Sequence, residues 1–138
     1  MSISITVFTD PKVLGGVLAI HGDNPHLVSL QATDEDNKHF CGASIIHPLF
    51  LISAAHCFEH RYSVPYIRAV AGEYDLSASE GTEQIRTVTA VIIHEQFNRA
   101  TLDNDIALLV LNDSLTFNEK YVRPIPLWNS QWELPGKN

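Results

Sequence analysis

Short apolar or alternating runs, separated by turn-forming residues, recur along the sequence and predict a β-rich protein. The runs are dense in Val, Ile, Leu and Thr, which favour strands. They cover residues 26–31, 44–47, 49–53, 68–71, 84–93 and 106–111. Six strands at this spacing suit a small all-β barrel or sandwich.

Turn-forming residues fill the gaps between these runs. Gly, Asp, Asn, Ser and Pro concentrate in residues 22–25, 33–38 and 75–82, where they favour tight turns. No segment keeps a sustained helical period, and we expect one helical turn at most, at residues 54–58. We expect the hydroxyl of Ser53 to cap that turn by accepting a hydrogen bond from a free amide.

The composition is that of an ordinary globular domain, with 45% hydrophobic and 18% charged residues among 138. A net charge of −7 with nine scattered basic residues argues against nucleic acid as a partner, because binding phosphates needs clustered Lys and Arg. No apolar run reaches the roughly 18 residues of a membrane-spanning helix, so we expect no membrane partner. Residues 1–9 are apolar but make no convincing secretory signal.

The chain contains two cysteines, Cys41 and Cys57. They permit one intramolecular disulfide, as in a secreted protein. Two reduced thiols suit a cytosolic protein equally well. The cysteine count by itself leaves both possibilities open.

Two motifs carry candidate chemistry. The first is Ser53-Ala54-Ala55-His56-Cys57, and the second is Asp103-Asn104-Asp105-Ile106-Ala107-Leu108-Leu109. A serine or cysteine hydrolase needs a general base and a carboxylate that orients it, and His56 and Asp105 fit these two roles. Ser44 and Ser53 do not lie in the sharp Gly-flanked turn that exposes a nucleophile, so we interpret both as structural.

A competing motif overlaps the first. His56, Glu59 and His60 spell the inverted zinc-protease signature H-x-x-E-H. Zinc binding would need both histidines on one face of a long helix, and the residues after His60 give such a helix little support. We therefore prefer the hydrolase interpretation of His56.

Ordered segments along almost the whole chain resemble those of the trypsin/chymotrypsin-like serine proteases, the S1 peptidases. Val13-Leu14-Gly15-Gly16 is similar to the mature Ile-Val-Gly-Gly start of that family. The segments that follow in family order are residues 26–31, 40–46, 51–57, 72–75, 87–94, 103–109 and 122–125.

The resemblance implies a six-stranded antiparallel β-barrel, the first barrel of the two-barrel trypsin-like fold. It divides the chain into a propeptide-like tail at residues 1–12, the barrel at residues 13–121, and a linker at residues 122–138 towards a second barrel. It makes His56 the general base and Asp105 its orienting carboxylate. The family's nucleophile lies in a Gly-Asp-Ser-Gly-Gly turn, which this sequence lacks. We therefore expect a truncated N-terminal half that is inactive alone and needs a second barrel, joined covalently or supplied by another chain.

Further features follow from the same resemblance. Cys41 and Cys57 match a family disulfide that joins the histidine loop to the preceding strand. The Lys12–Val13 bond resembles the cleavage site that activates a zymogen. By resemblance the protein is extracellular.

An acidic loop at residues 73–83 is similar to the calcium loop of vertebrate-type trypsins. Ca²⁺ prefers several oxygen ligands, mixing carboxylates with backbone carbonyls. The resemblance assigns carboxylates to Glu73 and Glu83, backbone carbonyls to Asp75 and Ala78, and a carboxylate to Glu80, either directly or through water. The alternative is an acidic, solvated hairpin. We expect no organic cofactor.

The sequence thus predicts a serine endopeptidase that acts on protein or peptide substrates. The alternative is a non-catalytic protease homologue that binds calcium or a protein partner, against which the retention of His56 and Asp105 argues. The family's specificity pocket belongs to the second barrel, so substrate preference is not encoded here. A single barrel should also expose an apolar face, which favours association.

Overall fold

The structure is a computed structural model that describes residues 17–59 and 64–127. Six strands form a closed antiparallel barrel in the order β1-β2-β3-β6-β5-β4. The strands are β1 (Leu27–Ala32), β2 (Lys38–His47), β3 (Phe50–Ser53), β4 (Ile67–Ala71), β5 (Gln84–Ile93) and β6 (Ala107–Leu111). The prediction of an all-β, six-stranded antiparallel barrel is confirmed.

Alternation along the strands fills the barrel with aliphatic side chains. In β6, Ala107, Leu109 and Leu111 are buried while the residues between them are half-buried. The largest fully buried side chains come from all six strands and from the segment after β6: Leu30, Ile45, Leu51, Ile67, Val70, Val88, Leu109 and Val122. Burying one such side chain stabilises the fold by roughly 1.5–3 kcal/mol.

Strand β2 begins at Lys38, six residues before the predicted run at residues 44–47. Lys38, His39 and Gly42 interrupt the apolar alternation, so the pattern alone does not mark this part as strand. Pairing with β1 overrides the pattern, since Ala32 faces Lys38 across the ladder. The preceding turn places Asp36 and Asn37 at φ values of 53° and 59°, a left-handed region that these two residue types tolerate.

The segment after β6 lies against the barrel. Val122 is fully buried in the core. The backbone N–H of Arg123 donates to the carbonyl of Pro25 at 3.0 Å, and that of Ile125 to the carbonyl of Ile45 at 2.8 Å. The division of the chain at residue 121 stays a prediction, and the tail at residues 1–12 lies outside the described residues.

Helical structure within residues 17–59 and 64–127 amounts to one four-residue 3₁₀ turn, Ala55–Phe58. Nothing helical in those ranges has the length or hydropathy to cross a bilayer.

Candidate active site

The 3₁₀ turn that follows β3 carries His56. The turn begins after Ala54, whose extended backbone (φ −86°, ψ 137°) ends the strand, and no side chain caps it. The prediction that Ser53 caps this turn is therefore wrong. Ser53 is buried in β3, and its hydroxyl donates instead to the carbonyl of Gly42 in β2 at 2.7 Å.

A disulfide holds this turn to the barrel wall. It joins Cys41 in β2 to Cys57, the residue after His56, with 6.3 Å between the two Cα atoms. Both half-cystines pack against the hydrophobic core. The turn is therefore anchored directly beside its histidine.

The loop between β5 and β6 carries Asp105. Its base is closed by the N–H of His94, which donates to the carbonyl of Ile106 at 3.0 Å. Asn104 adopts a left-handed backbone with φ of 55°, and the N–H of Ile106 donates to its carbonyl at 2.8 Å. Asp105 therefore lies at the apex of a tight turn.

His56 and Asp105, which lie 49 residues apart in sequence, meet through two hydrogen bonds. The backbone N–H of His56 donates to Oδ1 of Asp105 at 2.8 Å, and ring Nδ1 lies 2.7 Å from Oδ2. The side chain of His56 is 53% exposed and that of Asp105 is 19% exposed. The carboxylate is thus sheltered while the imidazole reaches solvent.

The two hydrogen bonds lower the pKa of Asp105 below its ordinary value, the ring contributing most and the backbone N–H next. Asp105 is therefore an anion at neutral pH. An anionic carboxylate at Nδ1 keeps the ring proton on that nitrogen and leaves Nε2 as the basic one. This is the arrangement that a general base requires.

The zinc-protease alternative gains no support from this geometry. The turn at Ala55–Phe58 is four residues long, too short to place two histidines on one helical face. Glu59 forms an ion pair with Arg99 at 2.7 Å. His60 lies outside the described residues.

The serines considered as nucleophiles lie within strands. Ser44 lies within β2, where it pairs with Leu27 and Ile52. A serine–histidine hydrogen bond does occur in the barrel, between Ser29 Oγ and His39 Nδ1 at 2.8 Å. Ser29 is buried, so this hydroxyl cannot reach a substrate. The sequence pattern missed this contact, because neither residue belongs to a recognisable motif.

Three glutamates of the acidic loop converge. One carboxylate oxygen from each of Glu73, Glu80 and Glu83 lies within 4.8 Å of the other two. Oε1 of Glu73 and Oε2 of Glu80 are buried without a hydrogen-bond partner. Burial raises the pKa of Glu73, and the nearby charges of Glu80, Glu83 and Asp75 raise it further.

Hydrogen bonds organise the rest of the loop. The adjacent Glu80 side chain and the backbone N–H groups of Glu80 and Gly81, which donate to the Glu83 carboxylate at 2.6 and 2.8 Å, lower the pKa of Glu83 to about 2. The side chain of Asp75 binds Ser77 instead of the cluster, and the carbonyl of Asp75 accepts from the N–H of Ala78 at 3.0 Å.

Comparison with known proteins shows the family of this chain. The family model named Trypsin matches residues 13–137. The chain belongs to the trypsin family. Lys12 and Val13 stand at the edge of the match and lie outside the described residues.

Individual trypsin-family relatives match over most of this chain. Trypsin-1 of Astacus astacus is 46% identical over 118 residues, which are 83% of this chain and 49% of that protein. Trypsin of Xenopus laevis is 38% identical over 87% of this chain and 45% of its own length. Serine protease 1 of Canis lupus familiaris is 34% identical over 86% of this chain and 45% of its own length. The chain thus spans about half the length of these relatives.

Proposed function

We propose that this chain supplies the general base and the orienting carboxylate of a serine endopeptidase. The observation that carries the proposal is the double hydrogen bond between His56 and Asp105. The nucleophilic serine comes from a second barrel, in cis or in trans. Relatives about twice as long as the matched region support this division.

The chemistry of the pair follows from its geometry. Nε2 of His56 accepts the proton of the serine hydroxyl as the serine oxygen bonds to the scissile carbonyl carbon. Asp105 stabilises the resulting imidazolium through its contact with Nδ1. His56 then gives the proton to the leaving amine as the C–N bond breaks, and repeats both steps with water to release the acid.

An apolar groove beside Asp105 is the contact surface that we assign to the second barrel. Its volume is about 450 Å³, and it lies between the ends of β5 and β6. Ile92 and Ile106 in its lining are 55% and 41% exposed. Large exposed apolar patches mark association sites. This patch includes Ile106, the residue after Asp105 in the sequence.

We also propose that the protein is extracellular and that it is made as a zymogen, which is activated by cleavage near the N-terminus. The Cys41–Cys57 disulfide supports this, because such bridges persist in oxidising compartments. Cleavage between Lys12 and Val13 is the activation step that we propose.

Calcium is the second element of the proposal. The orphaned oxygens of Glu73 and Glu80 fit a bound cation, since buried carboxylate oxygens without partners are costly. Glu73, Glu80 and Glu83 would supply carboxylates, and Asp75 and Ala78 backbone carbonyls. The ion would neutralise the repulsion among the glutamates and so stabilise the loop. We do not favour a purely binding protein, because calcium binding alone makes no use of His56 and Asp105.

Labelling with a serine-directed fluorophosphonate tests whether the nucleophilic serine comes from a second barrel while His56 comes from this one. The present chain should remain unlabelled. A chimera that joins it to the second half of Trypsin-1 of Astacus astacus should be labelled on one serine from that half, and much more slowly with His56→Ala. Labelling of a serine in the present chain, or equal labelling of both chimeras, would contradict the proposal.

A further inference from the structure

A second side-chain contact joins the turn that bears His56 to the loop that bears Asp105. Nε of Arg99 donates to Oε1 of Glu59 at 2.7 Å. Glu59 directly follows the 3₁₀ turn, three residues after His56, and Arg99 precedes Asp105 by six residues. The Glu59 side chain is 19% exposed and that of Arg99 is 56% exposed. The acceptor is therefore largely sheltered from water.

Hydrogen bonds within the Asp105 loop make it a stiff unit. The N–H of Asn98 donates to the carbonyl of Asp103 at 2.9 Å, which joins the two sides of the loop. Oδ1 of Asn98 accepts from the N–H of Ala100, and the hydroxyl of Thr101 donates to Oδ2 of Asp103 at 2.9 Å. A displacement of Arg99 is therefore transmitted to Asp105.

Two separated contacts constrain an orientation that one contact cannot. With the His56–Asp105 contact alone, the loop can pivot about its point of attachment. The Arg99–Glu59 contact holds the loop at a second point, on the other side of the Asn98–Asp103 bridge.

We propose that Glu59 and Arg99 are positioning residues that hold the carboxylate of Asp105 in register with the imidazole of His56. They touch no reacting atom and act through the loop and the turn. The catalytic consequence rests on the proposed function, whereas the positioning itself is a property of this chain alone. A partly exposed ion pair contributes little free energy. We therefore expect its loss to change the occupancy of the His56–Asp105 contact roughly two- to fivefold.

The test is proton NMR of the isotope-labelled full chain, following the His56 Nδ1–H signal and its exchange with water. Arg99→Ala and Glu59→Ala should each accelerate this exchange about two- to fivefold. The charge-swapped double variant Glu59→Arg with Arg99→Glu should recover most of the wild-type protection. Lys38→Ala removes the separate Glu35–Lys38 ion pair, at 3.7 Å, and should leave the signal unchanged.

Folding is monitored in parallel by the dispersion of the barrel amide signals. If an alanine variant fails to fold, Arg99→Gln and Glu59→Gln replace it, since both keep the length of the side chain. Unchanged Nδ1–H exchange in folded variants, or the same acceleration in Lys38→Ala, would overturn the positioning role. Because no step of this test needs catalysis, its outcome is independent of fluorophosphonate labelling.

Discussion

The carboxylate of Asp105 accepts two hydrogen bonds from one residue, His56, through the backbone N–H and the imidazole. The first bond fixes the carboxylate against the backbone of the turn, and the second fixes the plane and tautomer of the ring. The disulfide beside His56 anchors the one partner, and the tight turn at Asp105 positions the other. The pair is therefore organised within this barrel.

Replacing His56 should raise the pKa of Asp105. The folded-state pKa lies below the ordinary 3.8 because the ring and the backbone N–H of His56 donate to the carboxylate. A depressed pKa means that this contribution to stability is present above pH 3.8 and is lost as the pH falls through the folded value. Carbon NMR titration of the Asp105 carboxyl group should show a midpoint below 3.8, shifted upward in His56→Ala.

The control for this titration is Asp113→Asn, an exposed aspartate on the chain segment after β6. It should leave the Asp105 midpoint unchanged. An identical midpoint in wild type and His56→Ala would show that the imidazole of His56 does not lower the pKa of Asp105, since the alanine variant keeps the backbone N–H donor.

Removing the disulfide should destabilise the barrel strongly. Cys41 and Cys57 are 16 residues apart, and a loop of this length is worth roughly 3 kcal/mol in the chain-entropy model. Urea denaturation of the double variant Cys41→Ser with Cys57→Ser should show that loss. A reducing agent should lower the stability of the wild type similarly and leave the variant unaffected. A loss under about 1 kcal/mol would contradict the anchoring role.

Calcium should relieve a pH-dependent weakness of the acidic loop. The folded pKa of Glu73 is raised above 4.5, so its favourable contribution is complete below pH 4.5 and is lost as the pH rises through the folded value. Without calcium, thermal stability should fall over that interval. Calcium at about 100 times its dissociation constant should stabilise the protein by about 2.7 kcal/mol at neutral pH.

Glu73→Gln should abolish most of the calcium effect, whereas Glu119→Gln on the exposed surface should not. Differential scanning calorimetry with calcium or a chelator measures both variants. Equal calcium stabilisation in wild type and Glu73→Gln would argue for a solvated acidic hairpin at this loop.

Two glycines, Gly72 just before the acidic loop and Gly81 within it, should respond unequally to replacement by alanine. Gly72 and Gly81 have similar backbone angles, with φ of 72° and 80°. A Cβ on Gly72 would collide with the carbonyl oxygen of Thr82, while a Cβ on Gly81 meets nothing within 4 Å. Gly81→Ala should therefore cost only the backbone strain of about 1–2 kcal/mol.

Gly72→Ala should cost roughly 1–3 kcal/mol more, because overpacking adds to the same strain. Chemical denaturation of the two variants provides the comparison. Equal losses would mean that the loop relaxes freely around residue 72, and that the close approach of Thr82 is unimportant.

Much of the fold could be predicted from the chain because its strands alternate cleanly. The limits of β5 coincide with the predicted run at residues 84–93, since that run is bounded by turn-forming residues. Strand β2 could not be delimited, because its first half is polar and becomes strand through pairing with β1. The role of Ser53 likewise depends on strand pairing. An amide of the following turn is the partner expected from the local sequence, but the Ser53 hydroxyl donates to the carbonyl of Gly42 in the neighbouring strand.

Only those residues of the candidate site that lie in recognisable motifs could be predicted from the sequence. His56 and Asp105 lie in motifs, so the resemblance paired them before any geometry was known. Arg99 and Glu59 carry no motif and are 40 residues apart, and only the folded barrel brings them together. Their contact depends on loop conformation, which hydrophobic periodicity does not encode.

The most direct test of His56 as the general base is the kcat/KM for a peptide substrate of the chimera with the second half of Trypsin-1 of Astacus astacus. We predict that the folded chimera hydrolyses the peptide and that His56→Ala lowers kcat/KM by at least about a thousandfold. A folded chimera without hydrolysis, or one whose activity survives His56→Ala, would contradict the claim that this barrel supplies the general base of a serine endopeptidase.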